Sequence, residues 1–358
     1  MRIKTALHFS KYNLNLWHHV RYIIGSEGSS WHAFKVSDRL WMGGESTNMI
    51  ASAVDFSVNF QFGCQDSETG LFRTQHVDGI MGMSAADDTI PHQLFTQKIT
   101  GSRIFAMCFS VGGGILTLGG VDQSIHNHGE VIKYAKLQKP KGWFTVKLLD
   151  ITMRPTVTSS LQTMGQTTDA ALDRVATHSI SADSIALNGR KGVIIDSGTT
   201  DTYLPSSVKT LFEELFKKVT DGIVYTNGNI ILSAAQVNKL PTIIYTLEGP
   251  DGEPPVEVEN EPSSYVENLG DGVHAFRIYL TEASGAILGA NLMNDHNVIF
   301  DIDSRRVGFV RSSCQYDAGA MSKTSQLHVS HEHYEGSGST IGRIQKSLSA
   351  LASGLLGF

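Results

Sequence analysis

The stretch best equipped for chemistry is Val193-Ile194-Ile195-Asp196-Ser197-Gly198-Thr199-Thr200. Three β-branched residues run into an acid, a hydroxyl, a glycine and two more hydroxyls. The apolar run predicts a buried strand. Gly198 predicts a tight turn whose backbone comes close to a neighbour. One carboxylate, Asp196, is then presented at the strand's end, where the flanking hydroxyls can donate hydrogen bonds to it. A carboxyl held this way suits general acid or base work. An Asp at a strand end also serves as a plain Asx-turn residue, and this segment alone leaves both readings open.

The elements that must position this loop read as β-rich. Short apolar runs at residues 104–109, 115–118, 131–134, 144–149 and 243–245 alternate with glycine turns, and 35 glycines suit many tight turns. One helix is expected after Pro205, where Val208, Leu211, Phe212, Leu215, Phe216 and Val219 recur at helical spacing. Its stripe reads as core, with Ser206 or Ser207 as the cap and Gly222 as the stop. A shorter helix is expected over residues 91–99. Residues 154–187, rich in Ser, Thr, Gln and Ala, read as a surface insertion with a short helix near 168–176. Residues 250–262, with Pro250, Pro254, Pro255 and Pro262, read as an exposed loop. Residues 315–340 are expected to be disordered; His328, His331 and His333 there lack firm metal-ligand spacing. Ile341, Ile344, Leu348, Leu351 and Leu355 give a weakly amphipathic end, suited to docking or to the start of a stalk.

A chain of 358 residues is one large or two medium domains. With 41% apolar and 18% charged residues it can bury a full core. A net charge of -6 and the lack of a basic run argue against nucleic acid as a partner. No apolar stretch approaches the roughly 18 residues of a membrane span. Arg2 and Lys4 are not followed by the apolar core of a signal peptide, and no Asn-x-Ser/Thr sequon is present. Taken alone, these points suit a cytosolic protein.

Read with Tyr203-Leu204-Pro205 behind it, the Asp196 segment resembles the second active-site motif of pepsin-like aspartic endopeptidases (peptidase A1 family). Other stretches agree in order. Phe62-Gly63 and Val77-Asp78-Gly79-Ile80-Met81-Gly82 resemble the first-lobe signature and its apolar-apolar-glycine step. Residues 113–120 resemble the strand pair closing that lobe, and Trp143 the entry to the second. Ala286-Ile287-Leu288-Gly289 resembles the second lobe's apolar-apolar-glycine step, and Val298-Ile299-Phe300-Asp301 with Val307-Gly308-Phe309 its closing hairpin. Each is weak alone; their order across residues 22–314 is a strong signal.

The resemblance implies an all-β, bilobal double barrel with a few short helices. The expected layout is a non-family segment at 1–20, a partial, truncated first lobe at 21–135, a second lobe at 136–314 and a disordered tail at 315–358. It implies Asp196 as the second-lobe catalytic carboxylate, with Ser197 interlocking the active-site loops, Gly198 allowing the turn and Thr199 bonding the carboxylate or the substrate backbone. Ile287-Leu288-Gly289 would pack beneath that loop, and Ile80-Met81-Gly82 beneath a first-lobe counterpart. Ser26, Glu27, Gly28, Ser29 and Ser30 would form a flap over an extended peptide. The expected partner is a peptide or protein substrate, with no metal or organic cofactor, and the chain is expected to be a monomer. The family suggests the secretory pathway, an acidic vacuolar or lysosomal compartment, or a membrane-anchored form.

Two departures stand out. The family uses two Asp-(Ser/Thr)-Gly loops, and no Asp lies within Met1–Trp17, where the first belongs. Asp317-Ala318-Gly319 follows no apolar strand and lacks the hydroxyl. The family's chemistry has two close carboxylates sharing one proton: one activates a water, the other protonates the scissile carbonyl. Asp196 cannot fill both roles. In the flap, the usual tyrosine position holds Gly25, and Tyr22 is in another register. A truncated first lobe would also expose sheet edges and lower stability. Three readings therefore stand: an endopeptidase impaired in this chain, a non-catalytic peptide-binding pseudo-protease, and a site completed by two chains each giving Asp196. Cys108 and Cys314 sit where some relatives form a disulfide, leaving Cys64 over; the alternative is three buried, reduced cysteines.

Overall fold

In the computed structural model the described residues are 19–24, 29–42, 56–70, 73, 79–110, 113–156, 178–180, 187–189, 191–314 and 348–350. The fold is all-β with a few short helices, as expected. The chain divides into two compact units: residues 1–83, 87–127 and 312–358 form the first, residues 84–86 and 128–311 the second. The expected helix at 168–176, the 315–340 segment with its histidines, and Ser26, Glu27 and Gly28 lie outside the described residues.

In the first unit, β1 (His19–Ile24), β2 (Ser29–Leu40) and β3 (Val58–Glu68) form an antiparallel sheet with β2 central. Ile24 pairs with Ser29 at one end of the β1–β2 ladder. Alternation along β2 leaves Lys35, Ser37 and Arg39 exposed and shelters Val36 and Leu40, which face Phe62 and Val58 across the ladder. Helix α1 (Ile90–Thr96) buries Ile90, Pro91 and Leu94. It is pinned to β3 by Gln97, whose amide accepts from Asn59 N at 2.9 Å and donates to Asn59 O at 2.8 Å. Strands β4 (Ile104–Ser110) and β5 (Gly113–Leu118) form a hairpin, and Leu348–Ala350 pairs with the free edge of β5. Cys108 and Cys314 are joined by a disulfide with a Cα–Cα separation of 5.1 Å. Cys64 is free and exposed, so the alternative of three reduced, buried cysteines does not hold.

In the second unit, β6 (Lys133–Lys136) flanks the hairpin of β19 (His296–Asp301) and β20 (Arg306–Arg311). Strands β7 (Thr145–Val146), β10 (Val193–Ile195), β18 (Ala286–Leu288), β11 (Thr202–Pro205) and β17 (Ile278–Glu282) form the sheet that carries Asp196. Strands β8 (Leu148–Arg154), β9 (His178–Ile180), β13 (Thr242–Leu247) and β14 (Val256–Asn260) form another. A third holds β12 (Asn229–Ile231), β15 (Val266–Gly270) and β16 (Val273–Phe276). Helix α2 (Lys209–Val219) buries Phe212, Leu215 and Phe216. Phe212 and Phe216 pack edge-on against Tyr225, each at 5.0 Å between ring centroids.

Several expectations are corrected here. Residues 206–208 form a 3-10 turn ahead of α2, so Val208 stands at the N-cap position and neither Ser206 nor Ser207 caps the helix. Leu211 lies at the stripe's margin and is exposed. Gly222, with φ +107°, does close the helix end, its N–H donating to Lys217 O at 2.8 Å. The 154–187 stretch is not all surface, because Ile180 in β9 and Leu187 are fully buried. Within 250–262 only the first residues are a loop: Val256, Val258 and Asn260 point into the core from β14, with Glu257 exposed between them.

His296 opens β19 and is 4% exposed. Burial, reinforced by the Arg311 guanidinium opposite it on β20, pulls its imidazole down to about 4; its Nδ1 contact with Asn294 O and the Asp295 and Glu259 carboxylates offset this only in part. An unfolded chain binds this proton near pH 6.5. The native state therefore loses stability as pH falls from about 6.5 to about 4, by about 3 kcal/mol in all. Urea unfolding between pH 7 and 4 is expected to show a shallower pH slope for His296→Gln than for the parent chain; equal slopes would contradict the assignment.

Candidate active site

The Asp196 loop is built from β10 outward. Val193, Ile194 and Ile195 are buried. They pair in parallel with Ala286, Ile287 and Leu288 of β18, and Val193 and Ile194 pair antiparallel with Val146 and Thr145 of β7. The last rung is Asp196 N donating to Leu288 O at 3.1 Å. The chain then turns so that both carboxylate oxygens of Asp196 are engaged. Oδ1 accepts from Gly198 N at 2.9 Å and Oδ2 from Thr199 Oγ1 at 2.6 Å. These bonds fix the plane of the carboxyl while leaving Asp196 partly open to solvent. Thr199→Val, which deletes that donor, is expected to lower stability by about 1 kcal/mol, read by denaturant unfolding at neutral pH.

The loop rests on the turn after β18. Ala290 N donates to Thr199 O at 2.7 Å and Asn291 N to Thr200 O at 3.0 Å. A Cβ on Gly289 would lie 2.1 Å from Asp201 O and 2.6 Å from Thr199 O. Only a glycine lets β18 come this close. The corresponding Gly82 of the first unit has nothing within 4 Å of its Cβ position among the described residues, and Ile80 is 59% exposed.

Asp196, Ser197, Gly198 and Thr199 thus lie together in the second unit. Ser29 and Ser30 lie on β2 of the first unit. Ser30 N donates to Thr69 Oγ1 at 3.0 Å, its carbonyl accepts from Thr69 N at 2.7 Å, and the two hydroxyls lie 2.8 Å apart. Three residues escaped the sequence reading. Asp201 is half-buried; desolvation pushes its carboxyl up, partly countered by Arg277. Thr202 and Asn291 form a buried pair at 2.8 Å. A polar residue inside the run Ile287–Met293 was the available signal for Asn291. Among the described residues no cluster of His, Cys, Asp and Glu could hold a metal ion, and no helix is long and apolar enough to cross a membrane.

Residues 43–312 match the eukaryotic aspartyl protease family, and the chain belongs to it. Three curated relatives share low identity. Pepsin B of Canis lupus familiaris is 26% identical over 273 residues, covering 71% of this chain and 60% of the relative. Aspartic proteinase 36 of Arabidopsis thaliana is 26% identical over 271 residues, covering 71% and 49%. Beta-secretase of Strongylocentrotus purpuratus is 26% identical over 230 residues, covering 59% and 37%. The chain spans about half the length of the curated relatives it matches.

Proposed function

We propose that the chain is the Asp196-bearing part of an aspartic endopeptidase, in which Asp196 takes part in activating a water for attack on a peptide carbonyl. The observation that carries this is the Asp196 carboxylate, gripped on both oxygens at the end of a buried strand inside a family-matched segment. In this reading residues 136–314 are the catalytic lobe, 21–135 a partial first lobe and 315–358 a tail. Ser197 interlocks the loop with its counterpart. The substrate is an extended peptide held by main-chain bonds under the 26–30 hairpin. The protein acts as a monomer without cofactor or nucleic acid, in a secretory or acidic setting.

A second reading is a non-catalytic peptide binder: Asp196 by itself cannot both activate water and protonate the carbonyl, so without a second carboxylate the chain would only bind. The deciding experiment is cleavage of a general peptide pool near pH 4 by this chain against Asp196→Asn. Cleavage by the parent alone, blocked by a statine-type inhibitor, supports the enzyme. No cleavage by a chain shown to be folded is common to a catalytic part without its second carboxylate and to a binder; an Asp-(Ser/Thr)-Gly in the genomic sequence upstream then supports the first, and its absence the second.

A further inference from the structure

We infer that Asn291 is a positioning residue for Asp196, clamping the segment that follows the carboxylate to β17 and β18. The inference rests on the reading of Asp196 as the active carboxylate, but its geometry is independent of turnover. Asn291 is 7% exposed and stands among the buried Ala290, Leu292 and Met293. An amide in such a place is costly unless bonded. Here each part is used. Oδ1 accepts from Thr202 Oγ1 at 2.8 Å, Nδ2 donates to Arg277 O at 2.9 Å, and the backbone N–H donates to Thr200 O at 3.0 Å. Arg277 O also accepts from Thr202 N at 3.3 Å, which closes a triangle between the loop, β11 and the start of β17. The one residue therefore fixes the loop at Thr200 through its backbone and at Thr202 through its side chain. Asp196 is tied to the other end of the same loop through Gly198 N and Thr199 Oγ1.

Hydrogen exchange on the whole chain tests this. In Asn291→Leu, protection of the Gly198, Ala290 and Thr202 amides is expected to fall at least tenfold, while the amides of β13 keep theirs. The 13C carboxyl resonance of Asp196, assigned by its loss in Asp196→Asn, is expected to move in Asn291→Leu and to stay in place in Phe216→Leu, a core change elsewhere in the unit. Asn291→Asp supplies a signature that filling space alone cannot. Protonated, its carboxyl offers one donor to Arg277 O and an acceptor to Thr202 Oγ1. Ionised, it only accepts and opposes the Arg277 carbonyl. Burial keeps such an acid protonated near pH 4. Loop protection in Asn291→Asp should therefore match the parent at pH 4 and fall below it at pH 8. Should Asn291→Leu fail to fold, Thr202→Val removes the paired hydroxyl at nearly constant shape and should loosen the same amides. Unchanged loop protection, a uniform loss across all amides, or no pH dependence in Asn291→Asp would overturn the proposal. An absence of peptide cleavage bears on the catalytic reading alone, because none of these measurements needs turnover.

Discussion

Gly289→Ala is expected to push the Asp196 loop out of place and to lower stability by about 4 kcal/mol, at the exceptional end for a single substitution. Gly289 has φ -83° and ψ -171°, an extended backbone that any residue can adopt. Its need for glycine is therefore one of space. The added carbon would sit 2.1 Å from Asp201 O, 2.6 Å from Thr199 O and 2.8 Å from Asp201 C. All three are backbone atoms, so no side-chain rotation relieves the clash. Relief would have to separate β18 from the loop. That breaks the bond from Ala290 N to Thr199 O and the one from Asn291 N to Thr200 O. Gly82→Ala is the matched control: its added carbon meets nothing within 4 Å among the described residues, and its expected effect is within about 0.5 kcal/mol. Denaturant unfolding of the two variants reads the difference directly. A Gly289→Ala chain within 1 kcal/mol of the parent would mean that the loop is not packed on β18 as described.

The strand that carries Asp196 was legible because β10 is short, wholly apolar and β-branched, and because it ends in a glycine turn. Its neighbours were not derivable from periodicity, because β10 pairs in parallel with residues more than ninety positions away, Val193 with Ala286. Local pattern carries no information on such pairing; the family resemblance implied only that Ile287-Leu288-Gly289 pack beneath the loop. The misreadings have local causes too. The prolines at 250–262 drew attention from Val256-Glu257-Val258, whose alternation is that of a half-buried strand. The low apolar density around Ile180 hid a strand of three residues. Leu211 fits the helical period, yet it falls on the solvent margin of a stripe whose burial is set by Phe212, Phe216 and their aromatic partners. Asn291 shows the reverse case: a residue that breaks an apolar run is polar because its hydrogen bonds are needed there.

Replacing both Cys108 and Cys314 by alanine is expected to lower the stability of the first unit by about 4 kcal/mol. The bond joins residues 206 apart in sequence. A cross-link that closes so long a loop removes much of the unfolded chain's freedom, and on a chain-entropy account the benefit rises only slowly with length, toward about 5 kcal/mol. The native side adds little cost, since the two residues are 0% and 1% exposed and pack against Ile115 and Ile125. Cys314 also holds a left-handed backbone, φ +52°, unusual for a residue other than glycine. Ser110 Oγ donates to its carbonyl at 3.1 Å, and its own N–H donates to Ser312 Oγ at 3.2 Å. Without the disulfide this left-handed turn would depend on non-covalent contacts, among them those two bonds and the isolated His126–Ser312 bridge. The measurement compares denaturant unfolding of the parent and of the double variant, both carrying Cys64→Ser so that the exposed thiol cannot exchange with the bond. Reductant should bring the parent down to the double variant and leave the double variant unchanged. Equal stability of the two chains without reductant would show that the first unit is held by its hydrogen bonds and core alone.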